Sequence, residues 1–179
     1  MVYKMNKDLE NNALIKSLLT RAYVVATQSP DPSSQNGAVL FCPDEYEIMA
    51  EACNTFPSGI NQTSERWNTR ELKYKLVDHA EASVLLTAFR NKVFNRYDPA
   101  KMWLVCPWAA CCSCAKHIIG FGVKRLITHK QGMMNNHGHW VEETTVSKQM
   151  FLEAGVIYEE YDGFLDSVPT RRDGKLVTF

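Results

Sequence analysis

Four residues of the sequence could together perform hydrolytic chemistry. His79, Cys111 and Cys114 offer one imidazole and two thiolates. These groups bind zinc, and a zinc held by three protein ligands keeps a fourth position open for water. Glu81, two residues after the histidine, is a carboxylate that need not bind the metal and could move protons instead. The spacing predicts a catalytic zinc site.

Other side chains could in principle close that site, because a structural zinc is normally held by four ligands. The candidates for a fourth ligand are Cys112, His117, His129, His137 and His139. Cys112 directly follows Cys111, so on a helix its side chain would point elsewhere, and we expect that it is not a ligand. His117 is more typical of a helix surface or a core position.

The pattern H-x-E followed by C-x-x-C is typical of zinc enzymes that deaminate nucleobases. Either half alone carries little information, but here each half opens a predicted helix. The predicted reaction is attack of water at C4 of a cytosine ring, with Glu81 carrying protons to N3 and to the leaving amine. The product would be the matching uracil compound and ammonia.

An α/β fold is expected to position these residues. Apolar residues at helical spacing predict helices at residues 8–27, 76–90, 111–121 and 141–154. Short apolar runs predict strands at residues 38–42, 48–53, 102–106, 123–128 and 156–161. Residues 54–69 and 130–139 resemble loops, and residues 162–179 form a tail without a clear pattern. This order predicts a five-stranded mixed sheet with helices on both faces.

The predicted helices place the candidate zinc ligands and Glu81 at their N-termini. His79 and Glu81 fall in the first turns of the helix at 76–90, and the helix at 111–121 begins at Cys111. Because a helix N-terminus carries partial positive charge, we expect the thiol pKa values of Cys111 and Cys114 to be depressed.

Composition limits the kinds of protein this can be. With 179 residues, 45% of them apolar, we expect a single domain over residues 1–179, with a core at about 8–161 and a tail at 162–179. Lysine plus arginine equals aspartate plus glutamate at 20 each, so charge does not favour long nucleic acids or anionic membranes as partners. No apolar run reaches the roughly 18 residues of a membrane span, and the start lacks a signal-peptide pattern. We therefore expect a cytoplasmic protein.

The cysteines outside the metal motif are consistent with the expected cytoplasmic location. Three of the six lie in apolar, strand-like stretches: Cys42, Cys53 and Cys106. We expect each to be a small buried hydrophobic residue. In a cytoplasmic chain, the clustered cysteines are more typical of a metal site than of disulfides.

A resemblance extends beyond the metal motifs. Residues 31–39 (DPSSQNGAV) resemble D-P-x-S-Q-V-G-A-x, and residues 54–59 (NTFPSG) resemble N-G-x-P-x-G. Lys73-Tyr74 before His79 and Ala154-Gly155-Val156 after the last helix also recur in the same family. On these motifs the chain resembles the deoxycytidylate (dCMP) deaminase branch of the cytidine deaminase superfamily, over roughly residues 29–161.

The resemblance implies a three-layer cytidine-deaminase-like fold and a role for each matched residue. It makes His79, Cys111 and Cys114 the Zn²⁺ ligands and Glu81 the proton shuttle. The substrate-binding positions that it implies are Asn54, the Ala80 backbone, the Ala109 carbonyl and, on the phosphate side, Ser34 and Gln35. For Ser34 and Gln35 an ordinary turn role is an equal alternative.

The implied activity is zinc-dependent hydrolysis of dCMP to dUMP and ammonia, which supplies dUMP for thymidylate synthesis. The implied partner is a small nucleotide, and relatives commonly form homo-oligomers, often hexamers. The chain departs from the family at Ala110, where a proline is usual, and at Ser83, where an asparagine is usual. Cys53 and Thr55 alter the effector motif of regulated members, so we expect weak or absent control by dCTP and dTTP.

The residues leave rival functions open. A deaminase of another cytosine nucleotide, or of single-stranded nucleic acid, would use the same zinc site; a local basic run contains Arg66, Arg70, Lys73 and Lys75. A zinc-binding regulatory protein without catalysis is the other alternative, although a structural site has no need of Glu81. His139 or Trp140 could close the pocket, or Trp140 could simply pack the last helix on the sheet.

Overall fold

The computed structural model describes residues 2–133, 139–165 and 168–179. The α-helices in these ranges are α1 (Val2–Ala26), α2 (Ser64–Asn68), α3 (Arg70–Leu76), α4 (Ala80–Arg90), α5 (Cys112–Gly120), α6 (Lys130–Met133) and α7 (His139–Glu153). The strands are β1 (Gly37–Cys42), β2 (Glu47–Cys53), β3 (Trp103–Val105), β4 (Arg125–His129), β5 (Ile157–Tyr161), β6 (Thr170–Arg172) and β7 (Lys175–Val177). None of the helices described is long and apolar enough to cross a membrane.

Five strands form one mixed sheet in the order β2-β1-β3-β4-β5. β1 pairs antiparallel with β2 and with β3, whereas the β3–β4 and β4–β5 pairs are parallel. The predicted five-stranded mixed sheet is therefore confirmed, and each predicted strand lies within one or two residues of an observed one.

Both faces of this sheet are covered. Every residue of β1 is buried, and its side chains alternate between two cores. Ala38 and Leu40 pack in a cluster with residues of α4, α5 and α7. Val39 and Phe41 point the other way and pack in a cluster with residues of α1. The predicted three layers, with the sheet between two helical layers, are confirmed.

Helix α1 approaches β1 most closely at Gly37. A Cβ atom at this position would overlap two backbone atoms of α1, the Ala22 carbonyl oxygen and the Ala26 amide nitrogen. Backbone cannot move aside as a flexible side chain can, so an added methyl group must push the helix off the sheet.

We therefore expect Gly37→Ala to lower the free energy of unfolding by about 3 kcal/mol or more, as severe overpacking does. Gly120→Ala is the matched control, because Gly120 lies in α5 and nothing is within 4 Å of its Cβ position. The control should be neutral or stabilising. Urea unfolding of both variants measures the difference, and equal midpoints would contradict the close approach.

The predicted helix at 76–90 is wrong at its start. Helix α3 ends at Leu76 and α4 begins at Ala80, with an extended backbone between them. The break is made by tertiary pairing: Thr55 and Asp78 form an antiparallel bridge, with N···O distances of 3.2 and 2.9 Å. His79 is consequently the residue before the helix and does not lie in its first turns, whereas Glu81 does.

Two predicted loops and the tail also contain regular structure. Residues 54–69 include α2, and residues 130–133 form α6, while 134–138 lie outside the described residues. The tail forms a hairpin of β6 and β7. Its turn is Asp173-Gly174, with φ of 50° and 76°, the left-handed values that a two-residue hairpin of this kind requires.

Candidate active site

Three neighbouring strands bring distant segments of the chain together where the start of β1 meets the ends of β2 and β3. Because β1 runs antiparallel to both β2 and β3, the start of β1 lies beside the ends of β2 and β3. Asn36, just before β1, donates from Nδ2 to Cys106 Sγ just after β3, at 3.2 Å. The Asn36 carbonyl oxygen accepts from the Asn54 amide after β2, at 3.0 Å. Helices α4 and α5 begin near these strand ends.

The two metal-binding motifs meet at the starts of those helices. His79 and Cys111 are the residues that precede α4 and α5, and both have extended backbone conformations. The Thr55–Asp78 bridge fixes the chain just before His79. Cys114 lies in the first turn of α5. The side chains of His79, Cys111 and Cys114 therefore converge although 32 to 35 residues separate them in sequence.

The geometry of this group fits zinc. His79 Nδ1 is 3.5 Å from Cys111 Sγ and 3.5 Å from Cys114 Sγ. Tetrahedral zinc, with bonds of about 2.0 Å to nitrogen and 2.3 Å to sulfur, holds those atoms about 3.5 Å apart. The possible ligand atoms all lie within 4.8 Å of one another, and within the described ranges no other group of histidine, cysteine and carboxylate side chains does so.

The side chains of His79, Cys111 and Cys114 are close enough to shift one another's pKa values. Cys114 donates a hydrogen bond to Cys111, and together with His79 this lowers the pKa of Cys111 to about 4. The pKa of Cys114 is raised, because that thiol donates to its neighbour and is buried beside negative charge. Burial lowers the pKa of His79, but Cys111 and Glu81 outweigh burial and raise it to about 9. The expected effect of the helix N-terminus on the two thiol pKa values stays a prediction.

Glu81 lies beside this group in the first turn of α4 and is only 2% exposed. Burial raises the pKa of its carboxyl group to about 7, and the charge of His79 opposes this. Its Oε2 atom has no hydrogen-bond partner. A buried, unpaired carboxylate oxygen costs free energy, so its place at a cavity wall indicates a partner that binds there.

The other cysteines and histidines considered as ligands have different partners. Cys112 contacts helix α7: its amide donates to Glu143 Oε2 at 3.0 Å, and its thiol donates to the Glu143 carbonyl at 3.4 Å. His129 is fully buried, donates from Nε2 to the Gly163 carbonyl and accepts at Nδ1 from the Tyr23 hydroxyl. His117 lies near the end of α5. His137 and the His139 side chain lie outside the described residues.

Two of the three isolated cysteines are buried as predicted. Cys42 is 3% exposed and Cys106 is fully buried. Cys53 is only half-buried, because its strand, β2, lies at the edge of the sheet. All six cysteines have free thiols.

A cavity of about 690 Å³ opens in front of His79, Glu81 and Cys111. Among the residues that the structure describes, two further buried polar atoms without a partner belong to its walls: Asn36 Oδ1 and Trp67 Nε1. Each side chain is 6% exposed. An acceptor, a donor and a carboxylate oxygen, all unsatisfied, indicate a polar ligand.

The predicted substrate-binding residues divide into two sets. Ser34, Asn54, Ala80 and Ala109 line the cavity. Gln35 does not, because its side chain donates to the Ser29 carbonyl at 3.0 Å and accepts from the Arg171 amide at 3.1 Å. The structure thus places the Gln35 amide on the backbone of the turn and of the tail.

Asn54 holds the cavity wall together. Its Oδ1 accepts from the Asn36 amide at 2.8 Å, and its Nδ2 donates to the Ser34 carbonyl at 2.8 Å and more weakly to Asp31 at 3.4 Å. This arrangement explains why an asparagine, with both a donor and an acceptor, suits the position.

A buried ion pair lies behind the same wall. Lys73 Nζ is 3.3 and 3.1 Å from the two carboxylate oxygens of Asp31, and both side chains are less than 10% exposed. Asp31 Oδ1 also accepts from the amides of Ser33 and Ser34. Lys73, which belongs to the local basic run of the sequence, is therefore an interior residue whose charge is matched.

Sequence reasoning missed several cavity residues. Trp67 lies in α2, inside a predicted loop, and stacks on Phe56 with ring centres 3.8 Å apart. Arg172, Asp173 and Gly174 come from the tail hairpin. The signal for the hairpin is the Asp-Gly pair, which favours a two-residue turn between strands.

Trp140 both packs on the core and lines the cavity. Its ring centre lies 6.0 Å from that of His79 and 6.5 Å from that of Tyr74. The two roles that the sequence left open for this residue are therefore compatible.

Comparison with known proteins agrees with this geometry. The sequence profile of the "cytidine and deoxycytidylate deaminase zinc-binding region" matches residues 13–130, more than half of the chain. The chain belongs to this deaminase family. The predicted superfamily is thereby confirmed, whereas the predicted dCMP deaminase branch stays a prediction. The His79, Cys111 and Cys114 group fits the zinc ion that the family binds.

Solved structures support the fold of this deaminase-family chain. It is similar to the dCMP deaminase of cyanophage S-TIM5 in apo form, with a TM-score of 0.55 and 20% identity, covering 83% of this chain and 97% of that one. The same phage enzyme in complex with dCMP and dUMP gives a TM-score of 0.55 at 19% identity, covering 84% and 95% of the two chains. RibD of Acinetobacter baumannii gives 0.52 at 13% identity, covering 84% of this chain and 35% of that one. Among curated protein sequences, none matches.

Proposed function

We propose that this protein is a zinc-dependent hydrolase that deaminates dCMP to dUMP and ammonia. The observation that carries the proposal is the buried Glu81 carboxylate, with its Oε2 unpaired, beside the His79, Cys111 and Cys114 group at the wall of a cavity. A purely structural metal site has no need of such an oxygen.

His79 Nδ1 and the two thiolates would hold the zinc. Bound zinc lowers the pKa of water so that a nucleophile is available at neutral pH. Glu81 takes a proton at Oε2 and delivers it to N3 of the cytosine ring as C4 is attacked. It carries a second proton to the exocyclic nitrogen, which leaves as ammonia. Its burial suits this task, because desolvation raises the pKa of the Glu81 carboxyl group and so favours the protonated form that delivers a proton.

The same cavity supplies contacts for the base and sugar. The Ala80 amide and the Ala109 carbonyl are proposed to bind the two edges of the base, and both residues line the cavity. Asn54 would contact the sugar by giving up its longest hydrogen bond, the 3.4 Å contact with Asp31. Aromatic walls at Tyr74 and Trp108 suit a planar base.

Cationic side chains in the cavity favour a nucleotide over a free base. Arg70 and Arg172 line it, and so does Lys73, whose charge Asp31 already matches. A phosphate would bring negative charge close to the two arginines. Because Ser34 matches the family motif on the phosphate side, we propose that it contacts the phosphate. Its hydroxyl oxygen lies 3.4 Å from that of Ser33.

An ammonia-release assay across cytosine, deoxycytidine, CMP, dCMP, 5-substituted dCMP and dCTP tests the proposal. We expect dCMP to give the highest kcat/KM, with deoxycytidine slower by tenfold or more because one charge-assisted contact is worth about that factor. Addition of dCTP or dTTP should change the rate little, since Cys53 and Thr55 replace residues of the family's effector motif. A higher kcat/KM for any other compound would reassign the substrate.

The second candidate is a deaminase of single-stranded nucleic acid. It is less well supported, because Lys73 is buried against Asp31 and the chain has no net charge. Retention of oligonucleotides at physiological salt without turnover of dCMP would favour it. A protein with bound zinc and no turnover of any cytosine compound would favour the inactive regulatory alternative. The homo-oligomer suggested by the resemblance stays a prediction.

A further inference from the structure

The side chain of Asn36 has a polar atom without a partner at the cavity wall. Asn36 lines the cavity and is 6% exposed. Its Nδ2 donates to Cys106 Sγ at 3.2 Å, whereas its Oδ1 has no hydrogen-bond partner among the residues that the structure describes. A buried amide oxygen without a donor costs free energy. The wall is therefore complete only when a ligand or a water molecule donates a hydrogen bond to this oxygen.

Hydrogen bonds to two neighbouring strands hold Asn36 in place. Its amide donates to Asn54 Oδ1 at 2.8 Å, and its carbonyl accepts from the Asn54 amide at 3.0 Å. The contact between Nδ2 and Cys106 sets which way the carboxamide turns. Because the residue is fixed on both sides, its free oxygen has a defined place that a ligand must match.

The identity of this residue also departs from the motif that the chain resembles. Residues 31–39 resemble D-P-x-S-Q-V-G-A-x, in which a valine stands at the position of Asn36. A valine side chain has no polar atom and leaves nothing unpaired at a cavity wall. The asparagine therefore gives this chain a hydrogen-bond acceptor that the motif lacks.

The contacts proposed for the substrate leave one edge of the base open. A carbonyl group accepts from the exocyclic amine at C4, so the Ala109 carbonyl marks that side of the ring. Glu81 serves N3, and the Ala80 amide, as a donor, is left with the ring oxygen at C2. Asn54 contacts the sugar at N1. The part of the ring between the amine and the sugar, which is C5 and C6, has no partner among these residues.

We propose that Asn36 faces this edge and selects the substituent at C5 of the cytosine ring. The residue is joined to Asn54 on the sugar side and to Cys106, which precedes the loop of Ala109 on the amine side. The proposal rests on the proposed function and names a residue that determines its specificity. The selected group is one that donates a hydrogen bond to Oδ1.

Three substituents at C5 should differ in how they satisfy this oxygen. With hydrogen at C5, as in dCMP, a water molecule can donate to Oδ1. A hydroxymethyl group displaces that water and donates in its place. A methyl group displaces the water but has no donor, so the oxygen stays buried and unpaired. The cavity should therefore accept a hydroxymethyl group and disfavour a methyl group.

Steady-state kinetics with 5-hydroxymethyl-dCMP and 5-methyl-dCMP test this selection. In the parent protein we expect kcat/KM to be about tenfold or more higher for the hydroxymethyl compound, since one buried acceptor is paired in one case only. In Asn36→Val the ratio should fall to within about twofold of unity or reverse, because the apolar side chain suits a methyl group. Asn61→Val is the matched control and should keep the parent ratio, because Asn61 is exposed and does not line the cavity.

Binding measurements separate this proposal from the proposed function. Calorimetric titration of the zinc-loaded protein with 5-hydroxymethyl-dUMP and with 5-methyl-dUMP needs no turnover. The parent protein should bind the first about tenfold more tightly, and Asn36→Val should lose the difference. If this pattern is seen and no cytosine compound is deaminated, the function is wrong and the role of Asn36 stands.

Equal kcat/KM values for the two dCMP derivatives in the parent protein would overturn the role of Asn36 while deamination stands. An unchanged ratio in Asn36→Val would overturn it as well. Tighter binding of 5-formyl-dUMP than of 5-hydroxymethyl-dUMP would also contradict it, because a formyl group accepts but does not donate. Should Asn36→Val fail to fold, the series of substituents on the parent protein decides.

Discussion

Glu81→Gln should abolish nearly all deamination while zinc binding stays normal. The glutamine keeps the shape of the side chain but cannot accept and release a proton, and a positioned general acid–base group contributes up to about 10⁴-fold. We therefore expect kcat to fall by about a thousandfold or more. Steady-state kinetics with dCMP and metal analysis of the same preparation measure the two quantities together.

Glu142→Gln is the matched control, because Glu142 is an exposed residue of helix α7 and does not line the cavity. Its turnover should equal that of the parent protein. Near-normal turnover of Glu81→Gln would show that another group moves the protons. Loss of zinc from Glu81→Gln would instead make the carboxylate a ligand.

Cys111→Ala should lose both the metal and the activity. The variant leaves His79 and Cys114 as the only members of the group, and two ligands hold zinc much less tightly than three. We expect less than about a tenth of an equivalent of zinc per chain after dialysis, and kcat at background. Metal analysis by mass spectrometry and the ammonia assay check both values.

Cys112→Ala is the control for that experiment, since it removes a thiol from the adjacent residue. The Cys112 thiol contacts the Glu143 carbonyl and faces helix α7. The variant should therefore retain one equivalent of zinc and most of the activity. If Cys112→Ala lost zinc and Cys111→Ala kept it, the ligand assignment would be reversed.

Local patterns predicted the sheet because its central strands are short, apolar and buried on both faces. Residues 37–42 of β1 are all buried, and such a run between turn residues can be recognised without any tertiary information. The same holds for the helical spacing of α1 and for the motifs at His79 and Cys111.

Tertiary contacts decided what local patterns could not. The predicted helix continues through residues 77–79, yet the hydrogen bonds between Asp78 and Thr55 keep this stretch extended. Those bonds join segments more than 20 residues apart, and helix propensity is too weak to oppose them. The hairpin of the tail has strands of three residues each, which is too short for a period to appear.

The candidate site was predictable only in its chemistry. Residue types and spacing identified the metal-binding group and Glu81. The unpaired atoms of Asn36 and Trp67 appear only once the cavity has been formed, since a sequence does not show which polar atoms lack partners. Arg172 could not be placed because its position depends on docking of β6 against Ser33 and Gln35.

The ion pair of Lys73 and Asp31 makes the cavity preorganised. Asp31 holds the amides of Ser33 and Ser34, and Lys73 ties this turn to helix α3, six residues before His79. The conformational entropy of ordering the wall is thus lost during folding and not again at each encounter with a ligand. Affinity gained in this way needs no closing movement, so the backbone of this wall should shift by less than about 1 Å when the cavity fills.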